Sequence, residues 1–166
     1  MRQPVAARWV FRCVACAATV MTGIAAAQSV PDRVSNVEKA AAEIAAIQAR
    51  TGADGAFAAI NQCYRRDVAG ATSLTRQVEA CVAQDIIVSK VSAAFYASLN
   101  PEGRRMGGGP EPEVVMKAMA ERVVAAFRRL KVPEDDARAF HRIVETKGME
   151  AYGRARFPGQ FPAKGN

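Results

Sequence analysis

From residue 35 onward, apolar side chains recur at intervals of three and four, the spacing that lines one face of an α-helix. Ser35 and Glu38 form a Ser-x-x-Glu capping box, in which each side chain satisfies an otherwise orphan backbone donor, and Val37, Ala40, Ile44 and Ile47 follow on one face. The pattern breaks at Gly52-Ala53-Asp54-Gly55, where glycine suits a helix end and Asp54 can cap the next helix. That second helix is expected over 54 to 68, through Phe57, Ile60, Cys63, Tyr64 and Val68. A longer third, over 73 to 99, carries Leu74, Val78, Cys81, Val82, Val88, Val91, Phe95 and Leu99, widened by Ile86 and Ile87. So broad an apolar surface predicts a central helix touching several neighbours.

Asn100-Pro101 should end this helix, because proline lacks a backbone donor and pushes the preceding residue out of helical geometry. Residues 101 to 112, rich in glycine and proline, read as a flexible loop. A fourth helix is expected from Pro112, with Met116, Met119, Val123, Ala126, Phe127 and Leu130 inward. A fifth should start near Pro133, bury Ala137, Phe140 and Val144, and end at Gly148. Residues 149 to 156 allow a short last turn, and 158 to 166 read as a loose tail. There is neither an internal repeat nor an alternating strand pattern. The expected fold is an all-α bundle of about five helices.

The first 27 residues stand apart. Arg2, Arg8 and Arg12 precede an apolar stretch over 14 to 24, which runs into Ala25-Ala26-Ala27-Gln28. This order is that of a secretory signal peptide cleaved after Ala27, and the apolar run is shorter than the roughly 20 residues that span a bilayer. No Arg-Arg pair precedes it and no lipobox leucine precedes Cys16, so Sec-type export to the periplasm is preferred to twin-arginine export or lipidation. The mature chain, with residues 28 to 157 as one domain, then holds 20 basic against 16 acidic residues, since three arginines are lost. A net charge of +4 in place of +7 weakens any case for nucleic-acid binding, and no transmembrane segment is expected in the mature chain.

Removing the signal also leaves two cysteines, Cys63 and Cys81, and an even count in an oxidising compartment reads as a structural disulfide. In an antiparallel helix hairpin, residues equidistant from the turn face each other, and position 72, in Ala69-Gly70-Ala71-Thr72, lies midway between the two cysteines. Such a bridge stabilises by roughly 3 kcal/mol in the chain-entropy model.

Few residues suggest chemistry. Asp85 continues the apolar line of Leu74, Val78 and Cys81, so its carboxylate must be paired, hydrogen-bonded or at the edge: a partly exposed residue, a buried polar tie to another helix through Tyr64 or an arginine, or a catalytic acid. Arg104 and Arg105 offer an anion or partner contact beside the fourth helix. His141, the sole histidine, has no evident nucleophile partner and reads as structural. Glu134-Asp135-Asp136 suits the positive end of a helix dipole, with Glu134 placed to pair with Arg138. Gly107-Gly108-Gly109 lacks the ending of a phosphate-binding loop and reads as a hinge. Met106, Met116, Met119 and Met149 have the softness for Cu(I), though methionine at helical spacing is usually core filler.

These features suggest an exported accessory module of the cell envelope, with an envelope protein as partner and no cofactor. A periplasmic protein binding a small ligand or copper is the alternative, and an envelope hydrolase the third reading. Exposed apolar patches would favour the first, a pocket with convergent polar groups the second, and a close acid-base or nucleophile-base pair the third.

Overall fold

The computed structural model describes residues 30 to 161, which form an all-α bundle with no strand among them. The signal peptide expected over 1 to 27 and the last residues of the expected tail, 162 to 166, lie outside the described residues.

Helix α1 (Val30–Cys63) bends at Gly52, whose positive φ of 71° is left-handed backbone that favours glycine. The expected stop is therefore a bend between two arms. The expected start at Ser35 is a correction, because the backbone is already helical at Val30. Two side chains tie the turns around Ser35 to α2 (Arg76–Ser98): Arg33 donates to Glu79, and Asn36 donates to the Arg76 carbonyl at 3.0 Å. These tertiary anchors, absent from any local capping signal, hold the earlier turn in the helix.

A π-helical segment, Tyr64–Val68, follows α1 directly, and the chain turns before Thr75 caps α2 by accepting from the Val78 N–H at 3.3 Å. The hairpin places the cysteines as their spacing from the turn predicts. Cys63 and Cys81 form a disulfide with their Cα atoms 5.6 Å apart. Closing 18 residues of chain, it stabilises the fold by roughly 3 kcal/mol in the chain-entropy model.

Helix α2 is the axis of the bundle. Every residue from Cys81 to Ser89 is buried, because α1 packs along one side and α4 (Pro112–Arg129) along another. Burial ends at Ala93, so Phe95, expected inward, is instead 58% exposed. Asn100 and Pro101 do end α2, but the same residues open a short helix, α3 (Pro101–Met106), where a loop was expected. The Asn100 side chain accepts from the Gly103 N–H at 2.6 Å, and proline's fixed φ suits the first helical position, so one signal serves both as stop and start.

Helix α4 buries Met119, Val123, Ala126 and Phe127. Helix α5 (Glu134–Ile143) follows, with the Phe140 ring edge-on to Phe127 at 5.8 Å between centroids. Gly148 does not end it. The chain passes through a second π-helical segment, Val144–Gly148, into α6 (Met149–Arg156), which lies along α1. A Cβ at Gly148 would stand 3.0 Å from Val37 Cγ1 and 3.2 Å from Ile87 Cδ1, so this glycine allows close approach of helices and is no terminator. Beyond α6 the chain turns back, placing the Phe161 ring against Gly153.

Candidate functional site

The site is built around Asp85. Because α2 is enclosed on all sides at this level, the carboxylate enters the interior and is fully buried. A charge there requires a partner, and Arg122 of α4 supplies a two-pronged one: Nε donates to Oδ2 at 2.9 Å and Nη2 to Oδ1 at 2.7 Å. Ser89, one turn along α2, donates its hydroxyl to Oδ1 at 3.1 Å. Bonding to Asp85 raises the Arg122 pKa further above its ordinary value, so the guanidinium stays charged.

Tyr64, the first residue of the π-helical segment, joins this cluster. Burial, and then the Asp85 charge, push its phenol above the ordinary tyrosine value, so it remains neutral. Its hydroxyl is buried with no hydrogen-bond partner among the described residues, yet lies near enough for Asp85 to bear on its ionisation. At the other end of the segment, Arg129 of α4 donates to the carbonyl oxygens of Val68 and Ala69. The Val68 carbonyl also accepts from the Ala71 N–H at 3.2 Å, so Arg129 adds a second donor to the end of this segment.

Between the π-helical segment and α4 runs a groove of about 370 Å³, open to solvent. Its floor is Val68, Ala69, Ala125, Ala126 and the body of Tyr64, and its rim carries Arg65, Arg122 and Arg129. Two of these guanidiniums already have partners, yet the bonds of Arg129 go to neutral carbonyls, and it has no ion-pair partner among the described residues. Arg65 has no ion-pair partner among the described residues. An apolar floor beneath guanidinium donors suits a ligand that is apolar along its length and anionic at one end. It repels a cation.

Six residues before Asp85, a second buried carboxylate escaped the sequence reading. Glu79 is 1% exposed, and Arg33 Nε reaches its Oε1 at 2.7 Å while Arg33 Nη1 reaches Asp136 Oδ1 at 2.5 Å. Burial, outweighing Arg33 and Asn36, raises the Glu79 pKa above the ordinary carboxylate value. The signal was present: Glu79 stands four before Ala83 and seven before Ile86 on the buried side. Arg122 likewise lies three after Met119 and four before Ala126, an arginine in an apolar line.

The other candidates take ordinary places. Arg104 donates to the Tyr96 and Leu99 carbonyls at 3.0 and 2.8 Å and pairs with Glu111, so the proposed anion contact is engaged in closing the end of α2. Arg105 is exposed on α3. His141 Nε2 lies 3.1 Å from Glu145 on the surface of α5. Glu134 and Asp135 pair with Arg138, while Asp136 reaches across to Arg33. Met119 is buried in the core, whereas Met106 is 80% exposed. Asp67 approaches both cysteine sulfurs at 3.7 Å, but sulfurs joined in a disulfide offer no thiolate to a metal.

The molecule therefore defines itself by class as a disulfide-stapled all-α bundle with an arginine-rimmed groove. Comparison with protein families, curated proteins and solved structures found no match to this chain.

Proposed function

We propose that this protein acts by binding, as an exported accessory of the bacterial envelope, and that the groove between the π-helical segment and α4 is its working face. The observation that carries the reading is the groove itself: an apolar floor under three guanidiniums, one of them held by the buried Asp85. Rigid buttressing of this kind pre-organises a surface and lowers the entropic cost of binding. The disulfide agrees with a periplasmic site of action, where such bonds persist. π-Helical turns, which widen a helix locally, recur at functional positions in proteins generally.

A second reading is favoured by the exposed apolar side chains Phe95 of α2, Met106 of α3 and Val114 of α4. Exposed apolar side chains of this kind suit an envelope protein partner. Both readings are separable by placing a photo-crosslinking amino acid at Ala125, at Met106 and, as a control, at Lys147 on the second π-helical segment. In living cells, adducts at Ala125 but not Lys147 support the groove, and adducts confined to Met106 transfer the function to the exposed apolar side chain there. Equal labelling at all three, or none, overturns both.

A further inference from the structure

We propose that the groove binds a free single-chain amphiphile with a carboxylate head, its acyl chain on the alanine floor and its head at the arginine rim. This deepens the reading that the groove is the working face and rests on it. The floor is lined by small side chains, Ala69, Ala125 and Ala126, with Val68 and the Tyr64 ring beside them. Small residues leave a narrow trough that a thin, linear chain can follow. At about 370 Å³ the groove falls within the range of small-ligand sites, about 300 to 1,000 Å³.

The rim selects the head. Asp85 balances the charge of Arg122, but no carboxylate balances Arg129, and Arg65 has no ion-pair partner among the described residues. The groove thus carries two positive charges in excess at its edge. Arg122 is 34% exposed and uses Nε and Nη2 on Asp85, while Nη1 has no hydrogen-bond partner among the described residues. Guanidinium forks match a carboxylate in shape as well as charge. Glu121, one turn before Ala125 on α4, lies outside the groove lining. Asp67, the nearest acid along the π-helical segment, is occupied by Arg66.

The test is calorimetric titration of the delipidated protein, disulfide intact, with dodecanoate below its micelle concentration. Dodecyltrimethylammonium carries the same tail with the opposite head, and acetate carries the head without a tail. Saturable one-to-one binding of dodecanoate is expected, with the cationic amphiphile at least about tenfold weaker, the order set by one charge-assisted hydrogen bond. Arg65→Glu should weaken dodecanoate about tenfold. Ala125→Trp, which fills the floor, should weaken both amphiphiles. Equal affinity for the two amphiphiles, absence of dodecanoate binding, or indifference to both variants overturns the proposal. If dodecanoate fails while Ala125 still gives adducts in cells, the carboxylate assignment falls and the working face stands. If both fail, both readings fall.

Discussion

Two carboxylates on α2, Glu79 and Asp85, are buried to the same extent, and each is met by an arginine from another helix. Their settings nevertheless differ. Asp85 lies mid-helix and receives a closed set of donors, two from Arg122 and one from Ser89. Glu79 lies in the first turn of α2, where backbone N–H groups already favour a negative charge, and its arginine is shared with Asp136. Asp85 with Arg122 is a balanced pair whose outer edge forms part of a groove. In the cluster of Glu79, Asp136 and Arg33, burial raises the Glu79 pKa above the ordinary carboxylate value, so Glu79 takes up a proton more readily than a free glutamate. The comparison separates a support closed by its own donors from a tie whose glutamate is tuned by burial.

The largest effect should come from Arg122→Ala, which strands a fully buried carboxylate. A loss of about 3 kcal/mol or more is expected in urea unfolding. Asp85→Ala should cost less, because the Arg122 left behind is one-third exposed and can turn toward water. An equal or reversed order would show that Asp85 is not the buried member that matters.

Arg33→Ala should be milder, about 2 kcal/mol near neutral pH, since Glu79 keeps Asn36 and the start of the helix as support. Its cost should shrink as the solution is acidified and Glu79 takes up a proton. A cost matching that of Arg122→Ala at every pH would erase the distinction between the two clusters.

Glu79→Gln tests the titration alone. Burial raises the folded pKa of Glu79 above its unfolded value, so the folded chain binds this proton first. The contribution of this group to stability therefore increases as pH falls through the folded pKa and declines as pH rises. Between neutral pH and the ordinary glutamate range, about 4.3, wild type should gain stability relative to Glu79→Gln. Glu145 works in the opposite sense: Lys90 holds its pKa low, so its contribution is lost as pH falls, and it is common to both proteins. A relative gain for the variant on acidification would contradict the assignment.

The smallest effect belongs to Tyr64→Phe. Its hydroxyl is buried with no hydrogen-bond partner among the described residues, so its removal should leave stability within about 0.5 kcal/mol of wild type or slightly above it. A loss exceeding about 1 kcal/mol would mean that the phenol is a working member of the Asp85 cluster.

Much of the scaffold was legible because it rests on local spacing. Helical periodicity located the elements, and equal distance from the turn at Ala69 to Thr72 paired Cys63 with Cys81 across the hairpin. Local signals misled where one residue can do two jobs. Gly148 looked like a stop and is a point of close packing, while Asn100 and Pro101 end one helix and begin another. The Ser35 capping box was overridden by anchors to α2 from Arg33 and Asn36.

The sequence by itself determined an all-α chain, its central helix and the place of Asp85 on that helix's apolar side, because each follows from the three-and-four pattern of apolar positions. Only the tertiary structure decided that Arg122 meets Asp85 across 37 residues, that Arg33 meets Glu79 across 46, and that three arginines border one groove. The physical reason is range. A helix period says which side of an element is apolar, but the partner of a charge depends on how whole helices are packed against one another.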